Sequence, residues 1–120
     1  MKPNSDTDAI LQRLQRLVTA SRLPEVEIGT HYGLPALKIG GKAFVSVKNG
    51  DTIVLSLPLD RKEQLIEMAP DIYFQSDHYI GWPSLPVRIA QIGDAELRLR
   101  LIEAWQFRAP KKLLAAFRPV

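Results

Sequence analysis

Between residues 35 and 58, apolar and polar positions alternate in three short runs, which predicts three β-strands. Gly40-Gly41 and Asn49-Gly50 separate the runs, and both dipeptides supply the positive φ angles that tight hairpin turns require. The β-branched and aromatic residues between them suit a pleated, half-buried surface. The pattern therefore predicts a three-stranded antiparallel meander.

Alternation also occurs on both sides of this meander. Residues 26–32 alternate and predict a preceding strand that leads into the meander through Gly33-Leu34-Pro35. Residues 71–92 are aromatic and have little helical periodicity, so they predict a loop, a turn at Gly81-Trp82-Pro83, and a strand over 85–89 that joins the sheet.

Helical spacing appears near both ends of the chain. Ser5 or Asp6 is expected to cap a first helix, which Leu23-Pro24 ends. Its apolar positions lie on one face: Ile10, Leu11, Leu14, Leu17 and Val18. Asp60 is expected to cap a short helix over 61–68, closed by Pro70.

Asp94 is expected to cap a last long helix. Its core face is formed by Leu97, Leu101, Ala104 and Trp105. Ala109-Pro110 interrupts this helix, and residues 111–117 predict a short final one. Together these elements predict an α+β fold: a single domain over residues 1–120, with an antiparallel meander sheet packed against N- and C-terminal helices.

Composition excludes several classes of protein. The chain has 120 residues, 46% of them hydrophobic and 24% charged, as in an ordinary globular domain. It has no cysteine, which excludes disulfides, a thiolate nucleophile and cysteine-ligated metal sites. No apolar run approaches the length of a membrane span, and the first residues do not resemble a signal peptide. We therefore expect a cytoplasmic protein without a membrane partner.

Positive charge is concentrated toward the C-terminus. The net charge is +3, and residues 94–120 contain six bases and three acids, which equals the whole excess. The bases are Arg98, Arg100, Arg108, Lys111, Lys112 and Arg118. Such a segment is typical of nucleic-acid binding, but it also describes a solvated surface, which composition alone favours.

Three lysines of the meander, Lys38, Lys42 and Lys48, are expected to share the solvent side or an edge of the sheet. Lysine at an edge discourages aggregation between sheets, and for any one of these residues we favour that interpretation over phosphate contact.

A second polar group consists of His31, Asp77 and His78, with Trp82 nearby in sequence. If their segments meet, two imidazoles and a carboxylate could bind a divalent metal or exchange protons near neutral pH. We favour the simpler interpretation of hydrogen-bonding residues around a turn, because no H-E-x-x-H spacing and no third histidine occur. Phosphate-loop and serine-hydrolase motifs are also absent, so we expect neither an enzyme nor a cofactor.

Several short motifs make the chain resemble the MmcQ/YjbR family over nearly its full length. They are Leu23-Pro24 with Glu27, Gly33-x-Pro35, Gly41-Lys42-x-Phe44, Asp77-His78 with Trp82, Ala104-Trp105 and Ala109-Pro110-Lys111. The resemblance implies a CyaY/frataxin-like fold and a predicted DNA-binding protein. Commoner members carry a basic or amide residue just before the tryptophan, where Ile80-Gly81 stands here.

The charge distribution and the family resemblance lead to two alternative functions. The first is nucleic-acid binding, with DNA as the expected partner, through the phosphate backbone. Its candidate residues are Lys38, Lys42, Arg108, Lys111 and Lys112. The alternative is a small protein-interaction or ligand-binding domain that uses a pocket around His31, Asp77, His78 and Trp82.

Overall fold

The computed structural model describes residues 3–117, and the side chains of residues 6–117. Its strands are β1 (Glu27–His31), β2 (Leu34–Ile39), β3 (Lys42–Val47), β4 (Thr52–Ser56) and β5 (Ser84–Arg88). Its helices are α1 (Pro3–Ala20), α2 (Leu59–Met68), α3 (Asp94–Arg108) and α4 (Lys111–Ala116). The strands form one antiparallel sheet in the order β1-β2-β3-β4-β5, so the predicted α+β meander is confirmed.

The first two hairpins have two-residue turns with positive φ at both central positions. In the β1–β2 turn, Tyr32 has φ 50° and Gly33 has φ 80°, while Gly40 and Gly41 in the β2–β3 turn have φ 58° and 80°. These angles define type I′ turns, whose twist matches that of the flanking strands. Tyr32 takes a position that usually favours asparagine or glycine.

The role predicted for Asn49-Gly50 is wrong, because neither residue has a positive φ. The connection is longer, and the Asn49 side chain accepts a hydrogen bond from the Asp51 N–H at 3.0 Å. Gly50 is instead placed for close approach, since a Cβ added there would lie 3.2 Å from the Cβ of Asp6 in α1. The glycine therefore accommodates the first helix and does not set the turn type.

One face of the sheet forms the core. Leu37, Val45, Leu55 and Leu85 stand in register across β2 to β5, and each is at most 1% exposed. α1 and α3 pack over this face, and the buried Trp105 confirms the predicted core side of α3. Strict alternation fails in β3, where four consecutive residues from Phe44 to Val47 are buried. A register shift between Leu37 and Lys38 inserts Phe44 as an extra residue on β3, as in a β-bulge.

α1 differs from its prediction at both ends. It begins at Pro3, so Asp6 lies inside the first turn and is not its cap, and the side chain of Ser5 lies outside the described residues. It ends at Ala20, before Leu23-Pro24, because Arg22 adopts a left-handed φ of 56°. The N–H of Leu23 then donates to the Val18 carbonyl and that of Arg22 to the Thr19 carbonyl, which is a Schellman ending.

The predicted caps of α2 and α3 are also wrong by one or more residues. Pro58 and Gly93 occupy the N-cap positions, and neither makes a side-chain cap. Asp60 and Asp94 lie in the first turn of their helices, where a carboxylate still interacts favourably with the helix dipole. Pro110 precedes α4 as its N-cap residue.

Within residues 3–117, no helix combines the length and hydrophobicity that a bilayer-spanning segment requires.

Candidate nucleic-acid interface

The β2–β3 turn packs against the junction between α3 and α4. A Cβ added at Gly40 would lie 3.1 Å from the Cγ atom of Pro110 and 3.4 Å from its Cδ atom. Lys42 follows this turn, and Lys111 follows Pro110. The contact therefore brings two basic segments that are about 70 residues apart in sequence into one corner of the molecule. We call Lys42, Arg108, Lys111 and Lys112 the basic corner.

The α3–α4 junction is fixed from beneath by Trp105. Its side chain is fully buried, and its Nε1 donates to the Pro24 carbonyl at 3.2 Å. Its ring lies 4.8 Å from that of Phe117, just beyond α4. Because the Ala109 N–H donates to the Trp105 carbonyl at 2.8 Å, the chain leaves α3 in a defined direction. The basic corner is thus carried on anchored elements.

The cations of the basic corner are available to a ligand. Lys42, Lys111 and Lys112 are exposed. Arg108 is half-buried with its guanidinium 4.8 Å above the Phe107 ring, and its buried Nε has no hydrogen-bond partner among the described residues. In the same part of the chain, no carboxylate oxygen lies within 4.0 Å of any of these four cations.

Four arginines outside the basic corner pair with carboxylates. Arg13 and Arg16 pair with Asp94, and the Arg13 hydrogen bond of 2.7 Å lowers the pKa of that carboxyl. Arg61 and Arg100 both pair with Glu103. Arg98 donates to the Ser21 hydroxyl at 2.9 Å. Of the predicted basic C-terminal segment, Arg98 and Arg100 are therefore structural, and Arg118 lies outside the described residues.

Lys38, also a predicted phosphate ligand, is directed elsewhere. Its side chain lies over Gly29, where an added Cβ would be 3.0 Å from the Lys38 Cδ atom. Its Nζ donates to the Thr30 carbonyl at 3.2 Å, on the outermost strand. Lys48 is separate from both, with its Nζ 4.7 Å from the centre of the Tyr79 ring. The three meander lysines thus have three different surroundings.

The predicted pocket residues are exposed but are not joined into one site. His31 packs edge-on against Tyr32 at 4.5 Å, and His78 packs edge-on against Tyr79 at 4.8 Å. Across residues 6–117, no hydrogen bond, ion pair or ring contact links His31 with Asp77, His78 or Trp82. Nor do three or more acidic or histidine side chains of that range come together as metal ligands.

Lys62 of α2 hydrogen-bonds to the loop over residues 73–82, which we call the aromatic segment. The sequence gives no indication of this role. Lys62 is 1% exposed, and its Nζ donates to the carbonyls of Tyr79 at 2.7 Å and Trp82 at 3.0 Å. Desolvation by burial lowers the pKa of this ammonium below its ordinary value. In the loop that these two hydrogen bonds hold, Ile80 is 60% exposed and Trp82 is 64% exposed. A lysine in a short amphipathic helix carries no signal of burial, because lysine is usually exposed.

Three comparisons place the chain among known proteins. The model of the YjbR family matches residues 21–107, which is more than half of the chain. Uncharacterized proteins of Mycobacterium bovis and of two Mycobacterium tuberculosis strains are 41% identical to it over 56 residues. That segment covers 47% of this chain and 43% of each relative, so the match spans less than half of those proteins. No solved structure shows a significant match.

Proposed function

The chain belongs to the YjbR family, and on that premise we propose that it is a non-enzymatic nucleic-acid-binding protein whose expected ligand is DNA. The basic corner contacts backbone phosphates through Lys42, Arg108, Lys111 and Lys112. The observation that carries the proposal is the contact between Gly40 and Pro110, because it joins basic residues from the sheet and from the C-terminal helices.

The charge environment supports this role. Lys111 and Lys112 occupy the first turn of α4, where the helix dipole disfavours positive charge. They are therefore poorly explained as stabilisers of that helix. Phosphate oxygens would supply the anionic partners that the described carboxylates do not.

The same geometry favours binding without base readout. α4 has only six residues, and the basic corner combines a turn with a helix junction, so neither presents a long recognition helix to a major groove. Contacts to phosphates alone position a protein but carry no sequence information. We therefore expect similar affinity for unrelated sequences and a strong dependence on salt.

Fluorescence anisotropy tests the proposal with a labelled duplex and a labelled single strand at several salt concentrations. Lys111→Ala/Lys112→Ala should weaken binding and reduce the slope of log affinity against log salt by roughly 0.7 to 0.9 per lost phosphate contact. Arg16→Ala/Arg22→Ala is the matched control, because it removes the same number of exposed positive charges from outside the basic corner. Absence of binding at low salt, or equal loss in the control, would overturn the proposal.

A second candidate function is a protein-interaction or ligand-binding surface on the aromatic segment. It is favoured by the exposed Ile80 and Trp82, which Lys62 holds in place through backbone carbonyls. Trp82→Ala distinguishes the two. It should leave salt-dependent nucleic-acid binding unchanged if the aromatic surface is a separate interaction site. Weaker single-strand binding would instead place Trp82 in the nucleic-acid site, with bases stacked on it, and would count against this second function.

A further inference from the structure

The two edges of the sheet differ in how they are covered. Beside β5, Tyr73 forms a bridge with Val87, the Phe74 N–H donates to the Pro86 carbonyl, and the Arg88 N–H donates to the Ile72 carbonyl. Beside β1, no strand of residues 3–117 pairs with the outer side. An open edge exposes backbone donors and acceptors that another strand can satisfy.

The register of the first hairpin shows which groups those are. The pair His31 and Leu34 closes a two-residue turn, so it is hydrogen-bonded, and alternate residues of β1 bond to β2. Ile28 and Thr30 therefore direct their N–H and C=O groups outward. Pro35 stands opposite Thr30 and has no N–H to donate, which agrees with this assignment.

Apolar surface is exposed to solvent beside this open edge of the sheet. Ile28 is in register with the buried Leu37, on the face that packs against the helices, yet it is 62% exposed. It lines a cleft of about 440 Å³ between the end of α1 and β1. Val18, Leu23 and Leu37 form apolar walls of the same cleft. A strand added beside β1 would cover part of this apolar surface.

We propose that β1 pairs with β1 of a second copy of this chain, in antiparallel register about Gly29, to form a two-fold symmetric dimer with a continuous ten-stranded sheet. The strand reads Glu27-Ile28-Gly29-Thr30-His31. In this register, Ile28 and Thr30 of opposite copies exchange their outward hydrogen bonds. Glu27 of each copy lies opposite His31 of the other, so at both ends of the pair a carboxylate faces an imidazole N–H that can donate a hydrogen bond to it.

Two features of the edge permit this approach. Gly29 faces itself across the two-fold axis, at a pair where Cα atoms come within about 4.5 Å and the absence of a side chain helps. Lys38, for which the sequence favoured a role against pairing between sheets, donates from its Nζ to the Thr30 carbonyl at this edge, but a carbonyl oxygen has two lone pairs and retains one for the partner strand. The edge uses none of the basic corner, so the dimer and the proposed function stand independently.

A charge exchange between the two strand ends tests the register. Glu27→Lys removes the carboxylate opposite His31, and His31→Glu places a second carboxylate opposite Glu27, so each variant alone should dimerise more weakly than the wild type in sedimentation equilibrium. Mixed together, the two variants should form a heterodimer, because each then offers the other complementary ends. The double variant Glu27→Lys/His31→Glu should dimerise by itself.

Matched controls exclude general effects of charge and fold. Glu67→Lys makes the same charge change on an exposed position of α2 and should leave dimerisation unchanged. Thr30→Pro removes an outward N–H while sparing bonds to β2, and should abolish the dimer with the circular dichroism spectrum retained. A wild-type protein that keeps the 13.5 kDa monomer mass at the highest soluble concentration would overturn the proposal. So would dimer dissociation constants in both separate charge variants that equal that of the wild type.

Discussion

Gly40 faces the ring of Pro110 so closely that a Cβ at this position would crowd the proline. A Cβ at Gly40 would lie 3.1 Å from the proline Cγ atom, while a Cβ at the next residue, Gly41, would meet no atom within 4 Å. Both glycines have positive φ angles. The two positions therefore share the same backbone requirement but differ in the tertiary contact.

Gly40→Ala should accordingly destabilise the protein more than Gly41→Ala. Each substitution places a side chain in a left-handed conformation, which costs about 1 to 2 kcal/mol. Only the first also crowds Pro110, which would have to shift by a few tenths of an ångström. Urea denaturation measures the difference in the free energy of unfolding. If the basic corner binds phosphates, Gly40→Ala should also lower affinity for DNA, whereas equal effects of both variants would contradict the importance of the contact.

Lys62→Met should destabilise the protein although it replaces a buried charge by an apolar side chain. The substitution leaves the Trp82 carbonyl without the donor it has now, whereas the Tyr79 carbonyl keeps the Trp82 N–H, and an unsatisfied acceptor costs about 1 to 3 kcal/mol. The free energy of unfolding should fall by that order. Amide hydrogen exchange at Trp82 should also accelerate, because its N–H donates to the Tyr79 carbonyl, which Lys62 also binds.

Lys112→Met is the control for this change, since it removes a lysine from an exposed position of α4. It should alter the free energy of unfolding by less than about 0.5 kcal/mol. Unchanged exchange at Trp82 in Lys62→Met would show that the aromatic segment is held by other contacts.

Tyr73 should make the protein less stable in alkaline solution. Its hydroxyl is buried and donates to Glu96 at 2.5 Å, and burial, with help from that hydrogen bond, raises its pKa above the ordinary 10.0. Above pH 10 the unfolded chain loses the tyrosine proton while the folded protein keeps it. The stabilisation is therefore complete below pH 10 and declines as the pH rises toward the folded-state pKa.

Tyr73→Phe should remove this decline and should cost about 1 kcal/mol near neutral pH, through loss of the hydrogen bond. Guanidinium denaturation between pH 8 and about 11 measures both effects. Tyr32→Phe is the control, because Tyr32 is 93% exposed. A decline of equal steepness in Tyr73→Phe and wild type would assign the alkaline effect to other groups.

Local patterns determined the elements of this protein. Alternating residues and the Gly33 and Gly40-Gly41 turns specified a meander, because strand period and turn chemistry are properties of neighbouring residues. The apolar face of α3 likewise specified its buried side, with Trp105 in the core. Helix ends were less well determined, since the left-handed Arg22 and the caps at Pro58 and Gly93 carry weak signals.

Tertiary structure alone decided which polar residues share a surface. The sequence proposed Lys38 beside Lys42, but Lys38 turns toward Thr30, while Lys42 joins Lys111 through the contact of Gly40 with Pro110. It grouped His31 with His78, which no contact between described residues joins. It gave no sign that Lys62 is buried. Sequence period encodes the direction of a side chain on its own strand or helix, whereas proximity between distant segments depends on how those elements pack.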